Sequence, residues 1–268
     1  MPFTQNKGVR LHWDETGSGT PVLLVMGHRY SSAMWYPAIP ALSAKHRVIW
    51  FDNRGTGETD APTGFTVEDM ADDAFAVMDA AGVDTAHIYG VSMGGVIVQD
   101  MALRRPERVR SLIVGCSGPL TADKPRAPKF LNWLIHHAPW LVKLIVASRG
   151  GGAGYGSRVD PAAVAYDQAM IAKDKYSVKG VLAQSEALRT YRTTHEALAG
   201  LTLPSMVLHG DEDQTVPLKW GRELADTLPN SRFHEIKGVA HNFMMVDLDT
   251  TNAAVLDFIR DADAAGRP

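Results

Sequence analysis

Residues 87–95 read HIYGVSMGG, with Ser92 held between Gly90 and Gly94. An apolar run precedes the serine and a helical pattern follows it, so the three residues fall on a strand-to-helix turn. A sharp turn of this kind lifts its middle side chain clear of the sheet on a strained backbone and tolerates only small neighbours. The new helix also aims its first amides and the positive end of its dipole toward the serine. A serine hydroxyl alone is a weak nucleophile, and it attacks a carbonyl carbon when a nearby base takes its proton. The chemistry on offer is acyl transfer, provided that a histidine and an orienting acid reach the turn. The chain has ten histidines. It also has three adjacent acids, Asp211, Glu212 and Asp213, in HGDEDQTVP, where such a cluster ordinarily marks a solvated loop.

The elements that must position these groups alternate over residues 1–118. PVLLVMG, HRVIWFD, AHIYGVS and SLIVGCS are continuous apolar runs, which suit strands buried on both faces of a parallel sheet. Thr66 can cap a helix with Asp69 three residues on; Val67, Met70, Ala71, Ala74 and Met78 keep one face apolar, and Gly82 can end it. A second helix is expected from near Met93 to just before Pro106. GVRLHWDETG alternates and reads as an antiparallel edge hairpin. From about Pro119 to Gly200 the patterns are helical with no clear strand, punctuated by Pro125, Pro128, Pro139, Pro161 and the loop SRGGGAGYG. The rhythm resumes with LPSMVLHG, a helix over KWGRELADTL, the strand SRFHEIKG and a last helix from about Thr250. The expected organisation is an α/β core in two parts, 1–118 and 201–268, with an all-helical insertion over 119–200 placed to act as a lid. Alternating strands and helices put the site at the strands' C-terminal ends.

With GVSMGG at the turn, VMGHRYSSAMW after an early strand, FDNRGTGETD after the next, then GDEDQTVP and GVAHN, the chain resembles the α/β-hydrolase fold family over essentially its whole length. The resemblance implies a mostly parallel eight-stranded sheet flanked by helices, and a catalytic order of serine, then acid, then histidine. Ser92 becomes the nucleophile. Only His234 and His241 follow the acid cluster. His234 lies within SRFHEIKG, facing solvent or helices, whereas His241 in GVAHN matches the family's base. The family pattern Gly-x-x-Asp-x-x-Val-Pro maps onto Gly210, Asp213, Val216 and Pro217, which makes Asp213 the orienting acid and leaves Asp211 and Glu212 facing water. Some members place the acid one strand earlier, but that strand here ends Cys116-Ser117-Gly118, with no acid until Asp123. The backbone amides of Met93 and His28 are the expected oxyanion donors; where members often read His-Gly-x, this chain reads Met26-Gly27-His28. Asp52 and Arg54 are expected as a buried pair that organises a turn. His136 and His137 are expected on the lid or its surface. Trp133, Trp140, Tyr155, Tyr166 and Met170 could wall an apolar pocket or simply pack the lid.

Composition narrows the partners. A net charge of -3 with no basic block argues against nucleic acid. The most apolar stretch, FLNWLIHHAPWLVKLIVAS, is interrupted by two histidines, a proline and a lysine, so no membrane span is expected. The first residues, MPFTQNKGVR, have no apolar signal core. A single cysteine, Cys116, fits a reducing, cytoplasmic compartment and reads as a buried structural thiol. Neither metal-ligand spacing nor a dinucleotide phosphate loop is present, so neither a metal nor a cofactor is expected. The expected function is a serine hydrolase that cleaves a carboxylic ester or lactone of a small-molecule substrate through an acyl-enzyme. Carbon–carbon cleavage of a diketone would use the same residues, and a ligand-binding member with weak catalysis would keep them too. Ser92 itself argues against the nucleophilic aspartate of dehalogenases and epoxide hydrolases.

Overall fold

In the computed structural model, which describes residues 2–125 and 154–266, the apolar runs become strands of one sheet. The strands are β1 (Phe3–Asn6), β2 (Val9–Thr16), β3 (Pro21–Val25), β4 (Arg47–Phe51), β5 (Ala86–Val91), β6 (Val109–Gly115), β7 (Ser205–Gly210) and β8 (Ser231–Ile236). Their order is β1-β2-β4-β3-β5-β6-β7-β8. The alternating N-terminal segment forms the antiparallel end, β1 on β2 and β2 on β4, and every other pair is parallel. Val25 stands beside both Phe51 and Gly90, Val91 beside Gly115, and Gly115 beside Leu208. That register aligns the C-terminal ends of β3 to β7, so the loops that follow them open on one edge.

The central strands are buried on both faces, and their alternate residues feed two cores. Leu23, Val25, Ile88 and Leu112 pack on one face with α2 (Val67–Ala80) and α3 (Met93–Arg104). Val22, Leu24, Tyr89 and Ile113 pack on the other with Trp35, Leu42 and the last helix, Leu248–Ala264. Burying one such aliphatic side chain stabilises the fold by roughly 1.5–3 kcal/mol. α2 starts as its sequence requires: the Thr66 hydroxyl accepts from the Asp69 amide, and the Asp69 carboxylate accepts from the Thr66 amide. Gly82 follows the helix at φ +66°, a conformation that suits glycine.

Between β6 and β7 the described elements are helical: α4 (Pro161–Lys173), α5 (Val178–Thr190) and α6 (His195–Ala199). Trp133, Trp140, His136 and His137 lie outside the described residues. No helix among the described residues is long and apolar enough to cross a membrane.

The turn after β4 differs from expectation. Asp52 and Arg54 are both buried, but they do not pair with each other. Asp52 accepts from the Ser32 amide and hydroxyl at 2.8 and 2.7 Å and meets His12 Nδ1 at 2.8 Å. Arg54 donates through Nε and a terminal nitrogen to Asp73 on α2, at 2.5 and 2.8 Å. Each residue therefore ties the turn to a different neighbour.

Candidate active site

Ser92 occupies the turn between β5 and α3 at φ 53° and ψ −117°, a backbone that costs a non-glycine residue about 1–3 kcal/mol. Its amide donates to Gly115 O at 2.9 Å, which helps hold it there. The flanking glycines are steric necessities. A Cβ on Gly90 would stand 2.1 Å from Gly94 O, and one on Gly94 would stand 2.0 Å from Val25 O.

His241 and Asp213 arrive from the loops after β8 and β7. His241 Nε2 lies 3.0 Å from Ser92 Oγ, and its Nδ1 lies 2.7 Å from Asp213 Oδ2. The structure thus brings together the three residues that the sequence singles out. Asp213 is buried, and its Oδ1 accepts from the amides of Thr215 and Val216 at 2.8 and 2.9 Å. The fully buried His209 stands 3.4 Å from its Oδ2 while also meeting Val216 O at 2.9 Å. Burial alone would raise the Asp213 pKa; the two histidines and the Val216 amide outweigh it and hold the carboxyl well below the usual range. For His241, burial favours the neutral ring, whereas Cys116 and the Asp213 carboxylate favour the charged one, and the balance lies above the ordinary histidine value.

Of the neighbouring acids expected to face water, Glu212 is exposed and Asp211 is half-buried, and both also hold backbone amides. Asp211 accepts from the Gly238 amide at 2.7 Å and so braces the loop that presents His241. Glu212, though exposed, accepts from the amide of Ser157 at 2.7 Å and from its hydroxyl. The same loop is held from the other side, where the amides of Ala240 and Asn242 donate to Tyr155 O and Gly154 O at 3.0 and 2.7 Å. His234 lies on β8, half-buried and away from this constellation.

The loop after β3 crosses Ser92 closely: a Cβ on Gly27 would lie 3.3 Å from Ser92 Cβ. Among the described residues, neither the His28 nor the Met93 amide donates a hydrogen bond to a protein group. The His28 side chain turns away to α5, with Nε2 2.8 Å from Ser185 Oγ and 3.1 Å from Val181 O, and burial lowers its pKa. Arg29 follows at φ 77°, and its amide donates to the Gln184 side chain at 2.9 Å. Asn53 donates to Met26 O at 2.8 Å and secures the loop from beneath.

A cavity of about 530 Å³, its mouth included, opens beside Ser92 and His241. Met26, Met34, Ile171, Phe243 and Met245 supply much of its wall, and Asp167 supplies a carboxyl group. A second, more open cleft leads from Ser92 toward Leu188 and Trp220. Cys116 also lines the first cavity, at φ 41° just past the end of β6, so its thiol is buried but not remote from the site. Of the proposed wall residues, Tyr166 is 58% exposed and neither Tyr155 nor Met170 lines this cavity, whereas Asp167 and Ile171, which were not proposed, reach it. Sequence reasoning passed over Asp167. Its one signal is helical spacing, since Val164, Asp167 and Ile171 fall on one face of α4. Among the described residues no group of His, Cys, Asp and Glu is placed to hold a metal ion.

Residues 20–248 match the family model described as alpha/beta hydrolase fold. The chain belongs to that family. Over 98% of its length this α/β-hydrolase fold protein is 30% identical to the whole of a protein named "Putative carbamate hydrolase RutD" from Azorhizobium caulinodans. It is 26% identical to a solved thermophilic esterase from Thermogutta terrifontis, with a TM-score of 0.83 and 97% of each chain covered. An enol-lactonase from Burkholderia xenovorans LB400 shares the fold at a TM-score of 0.84 and 22% identity, over 97% of this chain and 100% of its own. The names support a hydrolase and differ in the bond that is cleaved.

Proposed function

We propose that this α/β-hydrolase fold protein is a serine hydrolase that cleaves a carboxylic ester or lactone of a small molecule. The observation that carries the reading is His241, whose ring nitrogens meet Ser92 Oγ at 3.0 Å and Asp213 Oδ2 at 2.7 Å. Ser92 Oγ attacks the carbonyl carbon while His241 Nε2 takes its proton, and Asp213 orients the ring and stabilises the imidazolium. The oxyanion is held by the amides of Met93 and His28. When the intermediate collapses, His241 returns the proton to the leaving oxygen. A water molecule then gives its proton to His241, attacks the acyl-enzyme and releases the acid, with Ser92 restored. The helices between β6 and β7, within residues 119–200, act as a cap that narrows access and shields the acyl-enzyme.

The test is labelling with a fluorophosphonate probe together with hydrolysis of aryl esters and lactones. The parent is expected to label, and Ser92→Ala is expected to remain folded, unlabelled and slower in kcat by roughly five to six orders of magnitude. Equal labelling of parent and Ser92→Ala would remove Ser92 from its role. Cleavage of diketones without any ester or lactone turnover would replace ester hydrolysis with carbon–carbon hydrolysis.

A further inference from the structure

The reaction scheme leaves one buried acid unused. Asp167 is 1% exposed, lies on α4 and lines the cavity shared by Ser92 and His241. Its Oδ2 accepts from the Tyr155 hydroxyl at 2.6 Å and its Oδ1 from the Tyr36 hydroxyl at 3.2 Å. Burial and the acid itself keep both phenols well above their ordinary pKa, so they remain donors. The other buried acids near the strand ends have basic partners: Asp52 has His12, Asp73 has Arg54 and Asp213 has His241. Among the described residues, Asp167 has no such ion pair.

A carboxylate taken out of water is costly unless a counter-charge or a full set of donors offsets the loss. Two phenols supply part of that set. Tyr30 and Asn242 also line the cavity and carry donors, but neither hydrogen-bonds Asp167, and the rest of the wall nearby, Met26, Met34, Ile171, Phe243 and Met245, adds no strong donor from its side chains. What these neutral groups do not supply is a counter-charge, and a group arriving in the cavity can bring it. A hydroxyl would add one more neutral donor, whereas an ammonium adds donors and the missing charge together.

We infer that Asp167 anchors the substrate, and that the substrate is a small ester or lactone carrying a protonated amine on the part seated in this cavity. The inference rests on the ester-hydrolase reading above. Asp167 would set specificity and take no part in bond cleavage, so its loss should act mainly on KM.

Ethyl esters of ω-amino acids of increasing length are compared with ethyl alkanoates that carry a methyl group in place of the ammonium. Dimethylaminoethyl acetate against isoamyl acetate makes the same comparison on the alcohol side. At neutral pH the parent is expected to favour the amine by about tenfold or more in kcat/KM in at least one pair. Asp167→Asn should abolish that preference, chiefly through KM, and change turnover of the neutral esters by less than about threefold. Tyr155→Phe keeps the carboxyl group and should keep the preference. Preference for the carbon isostere in every pair overturns the inference. An equal loss on amine and neutral esters in Asp167→Asn also overturns it, since Asp167 would then be a brace for two phenols. Should the parent cleave no ester at all, calorimetry with butylammonium and with butanol still decides the role of Asp167. Ammonium binding that Asp167→Asn abolishes supports the anchor, and binding that is absent or unchanged by the variant overturns it.

Discussion

Two walls meet at Ser92, and they are built differently. The wall of strand-end loops is dense with hydrogen bonds: Asp213 alone engages two amides and His241, and Asp211 secures the loop that carries His241. The wall that α4 completes is largely apolar: Asp167 and Ile171 of α4 face Met26, Met34 and Met245 from the loops. The first kind of wall fixes atoms, because several directional contacts over-determine each side chain. The second fixes volume and polarity and leaves a ligand to complete it. Bond-breaking geometry would then belong to the sheet, and choice of substrate to the helices that follow β6.

The sharpest way to break this division is Asp213→Asn. An amide at this position can offer its NH2 group to His241 Nδ1, which would leave the ring proton on Nε2, where the serine proton has to go. A fall in kcat of about 10⁴ is expected, with the fold retained by circular dichroism. A fall no larger than that of Asp167→Asn on the same neutral ester would show that the two walls do not divide the work in this way.

The pH profile tests the same wall with a smaller effect. His241 must be neutral to accept the serine proton, and its pKa is raised above the ordinary value of about 6.5. Below that raised midpoint, kcat/KM should fall about tenfold per pH unit as the ring takes up a proton. The acid limb of the parent is expected above pH 6.5. Asp213→Asn removes the anionic partner, so the limb should move to lower pH even as the rate drops. An unmoved limb would mean that Asp213 does not set the charge of the ring.

What the sequence made legible follows from the same contrast. The turn at Ser92 is written in adjacent residues, since backbone crowding demands glycine at positions 90 and 94 on either side of the serine. Asp213 and His241 were found by their order along the chain and the loops that close their strands. Asp167 has no local signature. It is an acid in mid-helix whose burial depends on Tyr36, more than a hundred residues away in the chain. Asp52 and Arg54 misled for the reverse reason: they are neighbours in sequence, but their partners Ser32, His12 and Asp73 are fixed only by packing. Asp211 and Glu212 looked like solvated acids because sequence does not show that amides from distant loops, those of Gly238 and Ser157, would come to rest on them.

Gln184 is where the two walls touch, and it gives the smallest expected effect. It is fully buried on α5, accepts from the Arg29 amide at 2.9 Å and donates to Arg54 O at 2.8 Å. Gln184→Leu keeps most of the volume but strands two backbone groups, at a cost of about 1–3 kcal/mol each. The melting temperature should fall by several degrees. The loop from Gly27 to Ser31 would lose one of its ties to the helices, those of His28 and Ser31 remaining, and the His28 amide on that loop is one of the two proposed oxyanion donors. Loosening this donor costs the transition state more than the bound substrate, so kcat should fall by up to about tenfold with KM little changed. If the melting temperature falls while kcat holds, the strand-end wall positions its own donors and the helices govern substrate choice alone.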